Sequence, residues 1–131
     1  MIVVDSSVWI DQFRGRASPP QAVLDDMLRV GGEIAITDVI YMELLRGVAS
    51  QAQAEGLRGL LQQTAILRME SLEDFELAAD LVRRVRRHGH TVRQSSDCMI
   101  AAVCIRESYP LLQADIDFAH IAAVSELRLV A

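Results

Sequence analysis

Ile2-Val3-Val4-Asp5-Ser6-Ser7 opens the chain, and its reading decides the fold. Three apolar β-branched residues run straight into an acid, and two helix-starting serines follow. The pattern predicts a buried strand from Ile2 to Asp5 that delivers a carboxylate to its carboxyl end. Near the other end of the chain, Leu111-Leu112-Gln113-Ala114-Asp115 repeats the arrangement. Two helical segments carry acids among apolar neighbours: Glu43 in Val39-Ile40-Tyr41-Met42-Glu43-Leu44-Leu45, and Asp97 in Asp97-Cys98-Met99-Ile100-Ala101-Ala102-Val103. An ionised carboxylate on a core-facing surface is costly unless something compensates it. Four converging carboxylates repel one another unless a cation sits between them. A metal site is the reading that follows.

Between these segments, strands and helices alternate. A helix is expected from about Ser7 to Phe13, and a second from Pro19-Pro20 to about Val30, closed by Gly31-Gly32. Glu33 to Ile36 reads as a strand, and Thr37 or Asp38 caps the helix that carries Glu43. Ser50 starts a helix to about Gln63, and Ala65 to Met69 reads as a short strand. Ser71 with Asp74 forms a capping box for a long helix that ends at Gly89. The Asp97 helix runs from about Ser95 to Glu107, strand Leu111 to Ala114 follows, and Leu127 to Val130 reads as an edge strand. The expected class is α/β: one three-layer domain over residues 1–131, a mainly parallel sheet of four to five strands with helices on both faces. Ligands bind such sheets beyond the carboxyl ends of strands, where strand order reverses. If the first and fourth strands are neighbours, Asp5 and Asp115 face one crevice.

Composition narrows the classes. With 131 residues and 51% apolar content, the chain is long and apolar enough for a core of its own. No apolar run approaches the roughly 18–20 residues of a membrane span. The first residues form a strand without a basic region ahead of it, so no secretory signal is expected and the protein is expected in the cytoplasm. All 13 basic residues are arginine, so mechanisms that need a lysine are excluded. The net charge of -5 argues against nucleic acid, an objection that weakens if several acids hold a divalent ion. Cys98 and Cys104 lie about 240° apart around one helix, so they cannot pair and read as buried thiols.

Each candidate also has a plainer reading. Asp5 and Asp115 could be helix N-caps at strand ends. Glu43 could be paired with Arg46, and Asp97 could favour the helix dipole from the first turn. Asp117 is either a fifth ligand or the cap of the last helix, with the cap preferred. Arg83, Arg84, Arg86, Arg87 and Arg93 form the one basic cluster. It is a phosphate-contacting patch or balances a helix whose start is acidic (Glu73, Asp74, Glu76), and the two readings stand level. Trp9 and Phe13, four apart on one helix face, are core or line an exposed groove for a partner.

Taken in order, these residues resemble the PIN-domain ribonucleases, and within them the VapC-type toxins of toxin–antitoxin pairs. Ile2-Val3-Val4-Asp5-Ser6-Ser7-Val8-Trp9-Ile10 looks like the family's first motif and Glu43-Leu44-Leu45-Arg46-Gly47 like the second. Asp97-Cys98-Met99-Ile100-Ala101-Ala102 looks like the third, and Asp115-Ile116-Asp117-Phe118 like the fourth. The chain departs from the pattern at Gln113 and Ala114, where members often carry a basic or hydroxyl residue. The resemblance implies a PIN-like domain whose Asp5, Glu43, Asp97 and Asp115 hold Mg²⁺ (or Mn²⁺), with Asp117 a further candidate. It implies RNA cleavage by metal-activated water, a homodimer, and a cognate VapB-like antitoxin that covers the active-site groove; the aromatic pair Trp9 and Phe13 is the expected place for its segment. The rivals are a catalytically inactive PIN-fold binding module and a phosphotransfer domain of haloacid-dehalogenase type. The latter wants a lysine and an aspartate two residues after the first, where Ser7 stands.

Overall fold

The computed structural model of the protein describes residues 1–130. Four parallel strands form one sheet in the order β3-β2-β1-β4. They are β1 (Ile2–Val4), β2 (Ile34–Thr37), β3 (Ala65–Leu67) and β4 (Leu111–Leu112). Between β1 and β2 lie α1 (Ser6–Arg14) and α2 (Pro19–Val30), and between β2 and β3 lie α3 (Asp38–Arg46) and α4 (Gln51–Leu61). Next, α5 (Leu72–Arg87) and α6 (Ser95–Glu107) connect β3 to β4, and α7 (Ile116–Ala123) follows. The chain steps from β1 to β2 to β3 in one direction, then returns across the sheet to β4. Right-handed crossovers therefore put α1 to α4 on one face and α5 and α6 on the other. The packing agrees, α1 lying on α2 and α3, and α5 on α6 and α7.

Val3, Val4, Ala35, Ile36, Leu111 and Leu112 are buried in the sheet, and Val8, Leu24, Ile40, Leu81, Ile100 and Phe118 cover it. Each large aliphatic side chain removed from water contributes about 1.5–3 kcal/mol, so the β1–β4 seam is the stable centre of the fold. That seam is also where strand order reverses. Val3 pairs with Leu111 and Val4 with Leu112, and the Asp5 amide donates to the Leu112 carbonyl at 2.9 Å.

Three of the strands are shorter than the sequence suggests, and β2 is shifted by one residue, from the expected Glu33–Ile36 to Ile34–Thr37. The expected strand Ile2 to Asp5 ends at Val4: the Asp5 amide still donates to the Leu112 carbonyl, while its side chain turns to cap α1. The expected strand to Met69 ends at Leu67, because the Met69 amide donates to Asp38 Oδ2 at 3.1 Å. The expected strand to Ala114 ends at Leu112, with the Ala114 amide donating to Ser7 Oγ at 3.2 Å. The edge strand Leu127 to Val130 contracts to a single parallel bridge, Leu111 with Leu129. The capping box of α5 is also altered: Ser71 makes no side-chain cap, and Asp74 Oδ2 accepts from the Glu70 amide at 2.7 Å. No helix is long and apolar enough to cross a membrane among the described residues.

Candidate active site

Beyond the carboxyl ends of β1 and β4 lies a crevice of about 260 Å³ lined by Asp5, Glu43, Asp97, Asp115 and Asp117, with Ser6, Ser7, Arg46 and Arg93. Five acids from four stretches of the chain meet there, each delivered by local structure.

Asp5 answers to both of its sequence readings. Its Oδ2 caps α1, accepting from the Ser7 amide at 3.1 Å and from Ser7 Oγ at 2.6 Å. Both Ser7 bonds fall on that one oxygen. Burial raises the Asp5 pKa above 3.8, the Ser7 bonds oppose the shift, and the Asp115 charge adds to it. Glu43 projects from α3, and its Oε1 accepts from Ser6 Oγ at 3.2 Å. Partial burial raises its pKa first and the Asp5 charge second, while Ser6 and Arg46 lower it.

Asp97 lies in the first turn of α6 and does not cap it: Gln94 is the N-cap residue, without a side-chain bond. Its pKa is pushed up to about 7, by burial first and then by the charges of Asp5, Asp115, Glu43 and Asp117. Asp97, Asp115 and Asp117 each offer a carboxylate oxygen within 4.8 Å of the others. Acids this close repel one another, and a cation between them would relieve that repulsion.

At the last helix the preferred reading is corrected. Asp115, not Asp117, caps α7, its Oδ1 accepting from the Asp117 amide at 3.0 Å. Asp117 is 3% exposed and points into the crevice wall, where its Oδ2 accepts from the Arg93 amide and from Arg93 Nε. The cap position belongs to the residue still in extended backbone, and that is Asp115.

Two roles were invisible in sequence. Ser7 couples the two strand ends: its hydroxyl donates to Asp5 Oδ2 and accepts from the Ala114 amide. The hydroxyl that the chain lacks at Ala114 is thus supplied near Asp115 from β1's side, and Gln113 Oε1 accepts from the Asp115 amide at 2.6 Å. Arg93 joins the crevice rather than the basic helix, its Nη2 donating to Asp115 Oδ1 at 2.7 Å.

The other four arginines divide. Arg83 and Arg84 pair with Asp80 one turn earlier, and Arg84 also donates to the Val124 carbonyl at 3.3 Å. Arg86 and Arg87 are exposed, and none of the four lines the crevice. The aromatic pair divides as well, and the expectation for Trp9 is corrected. Trp9 is 1% exposed, enclosed where α1 packs on α2, whereas Phe13 is 47% exposed at the last turn of α1. Phe13 lines an apolar groove of about 580 Å³ with Val48, Leu57 and Leu60. A smaller hollow that shares Phe13 and Glu43 connects this groove to the acidic crevice.

The family model "PIN domain" matches residues 2–124. Among similar curated proteins, ribonuclease VapC11 of Mycobacterium tuberculosis is 33% identical over 129 residues, covering 98% of this chain and 96% of its own. Among solved structures, VapBC2 from Rickettsia felis, bound to a DNA fragment from its promoter, superposes with a TM-score of 0.75 at 18% identity, covering 99% and 98% of the two chains. VapBC-5 of the VapBC family of toxin–antitoxin systems, from Mycobacterium tuberculosis, gives 0.69 at 22% identity, covering 98% and 95%. A crevice of carboxylates at the strand reversal, the family match along nearly the whole chain and a relative one-third identical end to end together place this chain in the PIN-domain family, among the VapC proteins.

Proposed function

We propose that the protein is a metal-dependent endoribonuclease, the toxin of a type II toxin–antitoxin pair. The observation that carries this reading is the convergence of Asp5, Glu43, Asp97 and Asp115 on one crevice, with the pKa values of the first three raised by burial and mutual repulsion. The name of the matched relative, a ribonuclease, supports RNA as the substrate.

An all-oxygen donor set suits a hard cation, Mg²⁺ or Mn²⁺, better than zinc. Asp5, Glu43, Asp97 and Asp115 would hold it, and when bound it supplies charge stabilisation at phosphate and a water of lowered pKa. The protein's own groups prepare the ground. Ser7 fixes Asp5 against the β4 end, Ser6 orients Glu43, and the capped start of α7 holds Asp115. Water attacks phosphorus, the P–O3′ bond breaks, and the products carry a 5′-phosphate and a 3′-hydroxyl. RNA backbone contact by Arg93 at the crevice and by Arg86 and Arg87 on α5 belongs to the same reading.

The partner in this reading is a VapB-like antitoxin, as the VapBC name of the structural neighbours suggests, acting on a homodimer. Its segment would lie along the groove of Phe13, Leu57 and Leu60, where it reaches the crevice through the hollow beside Glu43.

The test is cleavage of end-labelled RNA by purified protein. Mg²⁺ or Mn²⁺ should support cleavage, EDTA should remove it, and Asp5→Asn or Asp97→Asn should lower the rate at least a hundredfold while the circular dichroism stays native. Full activity in either variant, or in EDTA, refutes the reading.

A further inference from the structure

Arg93 stands just ahead of α6 and meets two of the five acids at once. Its main-chain N–H and its Nε both donate to Asp117 Oδ2, at 3.2 and 3.0 Å, and Nη2 donates to Asp115 Oδ1 at 2.7 Å. The two ends of this clamp differ. Asp117 is almost wholly buried and grips Arg93 through backbone and side chain together. The Asp115 carboxylate is a third exposed, its Oδ1 is shared with the Asp117 amide, and it faces the crevice. Asp5, Glu43 and Asp97 make no ion pair among the described residues. Arg46 also lines the crevice and its charge acts on Glu43 without a close ion pair, so three acids are without a paired cation and two share Arg93.

A divalent ion on Asp115 would lie close to the guanidinium, and two cations at such a distance repel by several kcal/mol at the effective dielectric of a protein surface, about 20. One bond must yield, and it is the single one to Asp115 rather than the double one to Asp117. We propose that Arg93 is the resident counter-cation of the crevice, and that a divalent ion binds by taking Asp115 from it while Asp117 keeps the guanidinium at the site. This rests on the metal-site reading above. Arg93 then sets metal affinity by competition, and its released Nη2 remains beside the place where a phosphate enters.

The experiment is a calorimetric Mn²⁺ titration of EDTA-stripped protein, comparing wild type with R93Q and R93K. R93Q should bind Mn²⁺ about tenfold more tightly, within the usual range of coupling between two sites. Its metal-free melting temperature should fall and its Mn²⁺-induced rise should grow, because its acids are then without their one paired cation. R93K, which keeps the charge, should bind Mn²⁺ like the wild type. A second measurement needs no variant: as Mg²⁺ is added to wild type, the Arg93 Nη signals in ¹⁵N NMR should average by rotation while the Nε signal keeps its bonded shift. Unchanged or weaker Mn²⁺ binding by R93Q, or unchanged Nη signals at saturating Mg²⁺, overturns the competition and leaves the metal site standing. Failure of the wild type and both variants to bind Mn²⁺ overturns both readings together.

Discussion

Asp97 shows how a single residue can carry a cost in stability. Its folded pKa of about 7 stands above its ordinary 3.8, so between those values the folded state binds more protons than the unfolded one. Stability then falls as pH rises through this window and levels off above it. Asp5 and Glu43, both shifted in the same direction, add to the slope. Melting the metal-free protein from about pH 4 to 8 should show the decline, and Asp97→Asn should flatten it and melt higher than wild type at pH 8. A pH-independent melting temperature in the wild type would contradict the account of a repulsive crevice. Asp5 separates two jobs in one side chain. Asp5→Asn keeps an acceptor for the Ser7 amide and should lose cleavage without losing stability. Asp5→Ala loses the cap too and should cost about 1 kcal/mol more in stability, measurable by urea denaturation.

At the scale of elements, α5 explains its own arginines in part. Arg84 ties the helix to the end of α7 through the Val124 carbonyl and to Asp80 one turn back. Arg84→Gln should lower the melting temperature by a few degrees and leave the salt dependence of RNA binding alone. Arg86 and Arg87 have no such bonds among the described residues. Their removal should leave melting unchanged and flatten the dependence of log affinity on log salt by about 0.7 for each phosphate that is no longer neutralised. RNA affinities at several salt concentrations separate the pair from Arg84. The helices were legible because their signals are local: Thr37 and Ser50 cap α3 and α4, and Gly31 closes α2 with a φ of 74°. Their neighbours were not. Nothing within α5 announces that Asp74 and Arg106 of α6 meet.

For the molecule as a whole, the groove and the crevice form one connected surface, so partner binding and inhibition should be a single event. The division of the aromatic pair makes this testable. Trp9 is core, so its emission should be at short wavelength in the free protein and should not move when an antitoxin binds. Phe13→Asp or Leu57→Asp should weaken the complex at least tenfold while metal-dependent cleavage persists, read by calorimetry and RNA cleavage in parallel. A blue shift of Trp9 on binding would show that the ring is exposed in the free protein and would contradict its enclosure between α1 and α2.

The sequence by itself determined the parts whose cause is local. Short apolar runs made the strands, capping residues made the helix starts, and four acids in order marked the crevice. Packing decided which of these parts meet. Whether Trp9 or Phe13 faces water depends on α2, which local spacing on α1 does not report. Ser7 reaches the Ala114 amide across 107 positions, and Arg93 reaches Asp115 and Asp117 across 22 and 24. A side chain's chemistry states which bonds it can make, but its partner is fixed by the β1–β4 pairing and the return of the chain across the sheet. Those are set by burial of the whole core, and no short stretch of sequence encodes them.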